Sequence, residues 1–430
     1  MARHHMSLQQ PDPPRIDADA WFDGVDLREL AARYPTPFYA YSANAIRTRI
    51  RGLQQALAGL NYAICYAVKA NSNLAVLQLM AAEGVGADIV SSGELWRSLH
   101  AGIPAQRIVF SGVGKTEQEM AEALAAGIQR FNVESADELE ALERLASSLH
   151  VTAHAAVRIN PDVDALTHAK ISTGKAENKF GVSIAEARRW FARAGSMHHV
   201  KLDGLHVHIG SQMLSVAPIR EALARVAAFW RELEAAGHAL NSIDVGGGLG
   251  VRYRYGHDEP VTPEAYASAI RDHLGAFKGR ILLEPGRYLV GEAGVLLTRV
   301  VRIKQGDTHR FVVLDAAMND LLRPSLYDAW HDIVPLVPRP GPSQACDIVG
   351  PVCETGDTFA RGRMLPPLEA GDLVMIRTSG AYGSSMSSTY NSRPLVAELL
   401  LDEGRHAIVR RRQTFEDMIA GEQPARWETV

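Results

Sequence analysis

Cysteine is scarce, with three residues in a chain of 430, at Cys65, Cys346 and Cys353. Thiols so few and so scattered exclude a disulfide framework and a zinc knuckle, and leave only the chemistry of a single thiol. No metal site is expected. No uninterrupted apolar run reaches the ~18 residues of a membrane span, and the polar stretch from Met1 to Pro14 has no apolar leader segment, so the sequence reads as cytoplasmic. Excess charge of one sign is lacking too. A formal net charge of −4 and the absence of a local basic patch argue against nucleic acid or a membrane surface as partner, and make a small molecule the default. What is present is an ordinary globular composition, 47% hydrophobic and 22% charged, with enough length for two or three domains or one large barrel with an appendage.

From about residue 60 to 285, short β-branched runs alternate with longer segments of helical period, the pattern of βα units around a parallel sheet. The expected strands are Tyr62 to Val68, Ala87 to Val90, Arg107 to Phe110, Arg130 to Val133, Val151 to Ile159, Leu202 to Ile209, Ser242 to Val245 and Arg280 to Leu283. Eight such units argue for a (β/α)8, TIM-like barrel over residues 43–290. After Pro285 the strands follow one another without long helices, as in Val295 to Lys304, Arg310 to Leu314, Asp347 to Val349, Leu373 to Arg377, Leu395 to Leu401 and His406 to Arg410. Residues 291–430 are therefore expected to form a mainly antiparallel β domain. The run Pro35 to Tyr41 reads as a strand before the barrel begins, so residues 1–42 are assigned to that β domain. The proline-rich stretch Val337 to Pro342 is expected to be an exposed connection.

In such a barrel the site lies where the strands end. The first strand ends in Lys69-Ala70-Asn71, the fifth carries Arg158 and Asn160, and the sixth ends in His208-Ile209-Gly210-Ser211. The seventh ends in Gly246-Gly247-Gly248 and the eighth in Glu284-Pro285-Gly286-Arg287. A lysine in a partly desolvated place is a nucleophile for carbonyls, although one lysine in a βα loop is as readily a solvated side chain. Three glycines let backbone N–H groups approach a phosphate, or simply make a tight turn. Glu284 follows three aliphatic residues, and a carboxylate in a barrel interior costs several kcal/mol unless paired, as a cationic ring nitrogen would pair it. Two other glycine patterns fail. Gly112-Val113-Gly114-Lys115-Thr116 lacks the earlier glycine of a P-loop, and Gly246-Gly247-Gly248-Leu249-Gly250 completes no dinucleotide fingerprint.

Six blocks, in order, resemble a known family: Tyr66-Ala67-Val68-Lys69-Ala70-Asn71, His206-Val207-His208-Ile209-Gly210-Ser211, Gly246-Gly247-Gly248, Glu284-Pro285-Gly286-Arg287, Cys353-Glu354 and Gly380-Ala381-Tyr382. They are similar to the pyridoxal phosphate-dependent decarboxylases of the alanine-racemase-like fold, the ornithine/diaminopimelate/arginine decarboxylase family. Ile171-Ser172-Thr173-Gly174, Glu177-Asn178-Lys179-Phe180-Gly181, Arg323-Pro324-Ser325-Leu326-Tyr327 and Tyr390-Asn391-Ser392-Arg393-Pro394 resemble its diaminopimelate branch. The resemblance implies that Lys69 holds pyridoxal 5'-phosphate covalently, that His208 stacks on its ring, and that Glu284 holds the protonated ring nitrogen. It implies that Ser211, the backbone at Gly248, Gly286, Arg287 and Tyr382 complete cofactor binding, and that Asp88 organises the lysine end of the site. Cys353 is then expected from a second subunit as the proton donor, in a homodimer with shared active sites.

The far end of the implied substrate, meso-diaminopimelate, carries a second amino acid group. Arg287, Arg323 and Tyr327 are expected around its carboxylate and Glu354 at its ammonium, and Tyr382 is expected to touch the substrate as well as the cofactor. Two other readings stay open at this point: a decarboxylase for carboxynorspermidine, another diamino acid or a carrier-bound glutamyl group, and a non-catalytic pyridoxal phosphate-binding protein.

Overall fold

The computed structural model describes residues 20–164 and 179–427; Ile171–Gly174, Glu177 and Asn178 lie outside them. The described residues divide into two compact units, one formed within Ala43–Ala293 and the other by residues 20–42 together with 294–427.

In the first unit eight parallel strands close on themselves: Tyr62–Ala67, Gly86–Ile89, Ile108–Phe110, Arg130–Val133, Ala153–Asn160, Val200–His206, Ser242–Asp244 and Arg280–Leu283. Each pairs with its sequence neighbour, and the eighth returns to the first in the register Ile281↔Tyr62. A two-residue strand, Val182–Ser183, runs beside the fifth. The expected barrel is thus present, with the fourth and eighth strands at the expected bounds and no strand end elsewhere shifted by more than three residues. The helices start on side-chain caps written into the βα turns. Asn73, Ser91, Thr116, Ser135, Ser183 and Thr262 each accept a backbone N–H from the first turn that follows, satisfying donors that have no partner within the helix. Lys115, of the failed P-loop pattern, has a structural post instead. Its buried ammonium donates to the Gly112 and Asn132 carbonyls at 2.7 and 2.8 Å and to Glu138 at 2.6 Å, tying two βα loops together.

In the second unit Gly294–Gln305 is the central strand. Its first half pairs with Phe38–Ser42 and Leu373–Ile376, and its second half, past an irregularity at Val300/Arg302, pairs with Arg310–Leu314. Gln344–Val349 and Thr358–Leu365 extend one side, and Ala397–Asp402 and Arg405–Arg410 the other. Most pairings are antiparallel; Phe38–Ser42 with Ala397–Asp402 and Arg310–Leu314 with Gln344–Val349 are parallel. The early strand therefore pairs inside the β unit, as expected. Its Phe38 and Ala40 are buried with Leu27, Leu30, Val295, Leu297, Leu399 and Leu401. Two strands carry little signal in the sequence. Thr358–Leu365 lies at the sheet edge, where Arg361 and Gly362 break the apolar alternation, and Ile333–Pro335 is three residues long and closes on proline. The loop Val337 to Pro342 is exposed.

Gly86, the first residue of the second barrel strand, has no room for a side chain: a Cβ there would lie 2.1 Å from the Arg107 carbonyl oxygen. Gly86→Ala must displace backbone, and is expected to destabilise the unit by about 1–3 kcal/mol. Urea unfolding followed by tryptophan fluorescence would show a lowered midpoint, and an unchanged midpoint would refute the close approach.

Candidate active site

The C-terminal ends of the barrel strands gather a set of buried polar groups around Glu284. Its Oε1 accepts from Ser111 Oγ at 3.2 Å and from Asn132 Nδ2 at 3.1 Å, and its Oε2 lies 3.1 Å from His206 Nε2. Asn132 also donates to Ser111, at 3.0 Å. Asp244 completes the cluster, with ligand atoms of His206, Asp244 and Glu284 all within 4.8 Å of one another. Burial alone would raise the Glu284 carboxyl, but His206 opposes it by charge and by hydrogen bond, with Lys69 adding to the effect, and Glu284 ends well below the usual carboxylate range. Asp244 goes the other way. Its burial and the neighbouring Glu284 charge push its carboxyl well up, while the Gly246 N–H donating to Oδ1 at 2.8 Å opposes the shift. Two carboxylates so close do not both ionise; Glu284 keeps the charge and Asp244 the proton.

Lys69 sits in a single 3-10 turn, Val68–Ala70, directly after the first strand. Its Nζ donates to Asp88 Oδ2 at 3.0 Å; Asp88 is fully buried, whereas the lysine side chain is 44% exposed, open to a reactant on one side. Burial and Glu284 push the Asp88 carboxyl up, and Lys69 opposes them. His208 follows the sixth strand by two residues, and its Nδ1 accepts from the Gly247 N–H at 3.1 Å. That bond requires an unprotonated Nδ1. Burial and the nearby Arg158 agree, lowering the imidazole to about 3, so His208 is a neutral ring carrying its proton on Nε2.

Gly246 and Gly248 have φ of 68° and 101°, in the left-handed region that favours glycine. A Cβ at Gly247 would lie 2.2 Å from the Glu284 carbonyl oxygen, and one at Gly248 would lie 2.5 Å from that of Gly210. The turn is locked to the loop that carries Ser211 by Met213 N–H donating to the Gly248 carbonyl at 2.9 Å. Gly286 packs against Ala67 and Ala70, on either side of Lys69. Arg287 is buried and donates to the Tyr253 hydroxyl at 2.6 Å.

The remaining expected residues belong to the β unit. Arg323 and Tyr327 bound a short helix, Arg323–Tyr327, with Arg323 buried and Tyr327 half-buried. Cys353 and Glu354 are exposed on a turn joined to that helix by Ser325 Oγ donating to the Gly356 carbonyl at 2.6 Å. Tyr382 is half-buried with φ of 55°, a left-handed conformation that side chains other than glycine, asparagine and aspartate seldom adopt. Of the three thiols Cys353 alone is exposed; Cys65 and Cys346 are buried, and burial pushes both up.

Sequence reasoning did not single out Ser111, Asn132 and Asp244 or a role for His206, and it missed Glu94, whose carboxyl burial raises to about 7 beside the Lys69 charge. It also missed Asp357, which accepts from Val352 N–H at 2.7 Å and Met318 N–H at 2.6 Å and so fixes the Cys353 turn. A lone carboxylate shortly after the Cys353-Glu354 block carries no spacing signal of its own. Gly350 is the one local clue, since a Cβ there would meet Asp357 Oδ2 at 2.3 Å.

The barrel residues fit pyridoxal phosphate: an open amine for its carbonyl, an ionised buried carboxylate for a ring nitrogen, a neutral imidazole for its face, and a glycine turn with no room for side chains for its phosphate. Comparison with known proteins agrees. The pyridoxal binding domain of the pyridoxal-dependent decarboxylases matches residues 43–291. A diaminopimelate decarboxylase of Zymomonas mobilis is 49% identical over 94% of this chain and 97% of its own length, and one of Pseudomonas aeruginosa is 47% identical over 94% and 97%. Among solved structures, the diaminopimelate decarboxylase of Helicobacter pylori in complex with L-lysine superposes with a TM-score of 0.88 at 45% identity, covering 92% of this chain and 99% of that one. That of M. jannaschii with L-lysine gives 0.89 at 37%, covering 94% and 96%.

The Asp244–Glu284 pair predicts a pH signature. A carboxyl raised by folding binds its proton more tightly in the native state, so its effect on stability turns unfavourable as pH rises above the unfolded value. Asp244→Asn mimics the neutral acid, keeping an acceptor for Gly246 and offering a donor toward Glu284. Thermal unfolding of the cofactor-free variant is expected to match or exceed the parent at pH 8, with the advantage shrinking toward pH 4. An advantage that grows on acidification would contradict the assignment of the proton to Asp244.

Proposed function

The chain belongs to the pyridoxal-dependent decarboxylases of the diaminopimelate group, and from that premise we propose how its side chains divide the reaction. It decarboxylates meso-2,6-diaminopimelate to L-lysine and CO2 with pyridoxal 5'-phosphate as cofactor. The observation that carries the assignment of roles is the meeting, at one end of the barrel, of an exposed lysine amine, an ionised Glu284 and a neutral His208.

Lys69 is the residue that holds the cofactor, and Asp88 holds its amine in place when the cofactor is not attached to it. Glu284 binds the protonated ring nitrogen; His206, Ser111 and Asn132 keep it ionised for that task. His208 lies against the ring as a neutral imidazole, adding no charge that would repel a cation. Ser211, the backbone at Gly248, Gly286 and Tyr382 bind the phosphate, and Arg287 assists at the substrate side. Pyridoxal phosphate, when bound, supplies a cationic ring that takes up the electron pair left when the bond to CO2 breaks. Cys353 then gives its thiol proton to that carbon, so that a C–H bond replaces the lost C–C bond. Arg323, Tyr327 and Arg287 select the substrate by its distal carboxylate, and Glu354 by its distal ammonium.

The proposal includes a homodimer in which Cys353 and Glu354 serve the partner's barrel. Support comes from their exposure on a turn of the β unit, fixed by Asp357 and by Asn391 Oδ1 accepting the Cys353 N–H at 3.0 Å. It also includes a cytoplasmic location. Among the described residues no helix is long and apolar enough to cross a membrane, and an exposed thiol with a catalytic task stays reduced in a reducing compartment.

Purified protein incubated with pyridoxal phosphate and meso-diaminopimelate is expected to release lysine, and borohydride reduction followed by peptide mapping to place the pyridoxyl group on Lys69. Label on another lysine would sink the assignment. For the shared site, mixing Lys69→Ala with Cys353→Ala protein is expected to restore part of the activity through hybrid dimers carrying one intact site. If subunits exchange and no activity returns, each site is complete within one chain.

A further inference from the structure

Buried arginines are usually held by acids, but a close partner of Arg323 is a histidine. Arg323 Nη1 lies 2.7 Å from His331 Nε2, and both side chains are buried. A guanidinium has only donors, so Nε2 of this imidazole must be the acceptor and carry no proton. The other ring nitrogen, Nδ1, lies 2.8 Å from the Arg377 carbonyl oxygen, which can only accept, so Nδ1 carries the proton. The two partners leave one tautomer, a neutral imidazole relaying a backbone carbonyl to a guanidinium.

The fold makes this relay rigid. The helix Arg323–Tyr327 ends on Asp328 in the left-handed conformation, with φ of 51°, and the chain turns back to bring His331 to Arg323. His331 is anchored from the other side as well: the Arg377 N–H donates to the Asp332 carbonyl at 2.8 Å, and Ile333–Pro335 pairs with Leu373–Ile376. Arg363 Nη1 donates to the His331 carbonyl at 2.9 Å while its guanidinium stacks on Trp330, 3.5 Å from the ring centroid. The imidazole is thus tied to a strand that itself pairs with the central strand of the sheet, and it presents Nε2 at a fixed point.

The choice of an imidazole has a chemical reason. A carboxylate at the same point would bind the guanidinium more strongly, and would compete with an incoming carboxylate for the same charge. A neutral acceptor orients the guanidinium without adding negative charge. We propose that His331 is a positioning residue for substrate selection, accepting a hydrogen bond from Arg323 and so aiming the guanidinium at the distal carboxylate of the substrate. This rests on the reading of Arg323 given above. His331 touches neither substrate nor cofactor in this scheme, and acts only through Arg323.

Four proteins test it: Arg323→Leu, His331→Phe, His331→Gln and the double variant Arg323→Leu/His331→Phe. Phenylalanine keeps the volume and loses both hydrogen bonds. Glutamine offers an amide oxygen to Arg323 and an N–H to the Arg377 carbonyl. Loss of one hydrogen bond to a charged group corresponds to roughly 10- to 100-fold in kcat/KM. His331→Phe is expected to lose that much for meso-diaminopimelate through KM, with kcat, the cofactor absorbance spectrum and the melting temperature close to the parent. His331→Gln is expected to recover most of the loss, and the double variant to be no worse than Arg323→Leu alone. Additive losses in the double variant, or a His331→Phe protein that loses cofactor or kcat in parallel, overturn the inference. Should His331→Phe fail to fold, a KM for His331→Gln as high as that of Arg323→Leu overturns it equally. The two readings separate cleanly: an unchanged KM in Arg323→Leu rejects the role of Arg323 itself, whereas a raised KM there beside an unchanged one in His331→Phe rejects only the positioning.

Discussion

Keeping a carboxylate ionised inside a ring of β-strands is unfavourable by several kcal/mol unless donors and positive charge surround it, and much of the barrel's polar interior answers to that requirement. Ser111, Asn132 and His206 come from three different strand ends and meet on Glu284. Asp244 gives way by retaining its proton. The result is one ionised carboxylate and one protonated one side by side in a buried place. His208 stays neutral against the pull of that charge, because burial and the nearby Arg158, with Lys69, disfavour an imidazolium there more than Glu284 favours it.

The β unit meets a different demand, the fixing of single side chains on a turn and on a short helix. Asp357 does this for Cys353 by accepting two backbone N–H groups, and its close approach leaves space at residue 350 only for glycine. His331 does it for Arg323. In both cases a buried acceptor fixes the backbone or head group of a neighbour, so rigidity comes from polar contacts behind the residue rather than from the residue itself.

The barrel was legible because eight β-branched runs alternate with helical periods, and because Lys69, the Gly246–Gly248 turn and Glu284 sit directly after three of those runs. His208 and Cys353 were legible through their blocks. Ser111, Asn132 and Asp244 were not: each is a single polar residue at a strand end, and only closure of the barrel brings the third and fourth strands to face the eighth, with which the seventh already pairs. Lys115 is the converse case: the missing glycine already excluded a P-loop, and its three oxygen partners supply the structural role that the sequence did not indicate. The edge strand Thr358–Leu365 escaped because edges favour charge and glycine over apolar alternation. His331 escaped because its role is defined by contacts with residues 323 and 377, neither at a spacing that periodicity detects.

The strand Phe38–Ser42 has a further consequence for synthesis on the ribosome. It is made before the barrel, yet its partners Gly294–Gln305 and Ala397–Asp402 are made after it. At typical elongation rates its parallel neighbour follows it by roughly 20 to 70 s. The nascent chain thus carries an early β-strand with no sheet to join while the whole of Ala43–Ala293 emerges, and the barrel must reach a folded state without help from a finished β unit. Phe38, Tyr39 and Tyr41, all buried in the end, are exposed through that interval. The apolar strand that ties the β unit together is therefore also a segment that waits long for its sheet, since its parallel neighbour lies more than 350 residues later in the chain, Ala397 against Phe38.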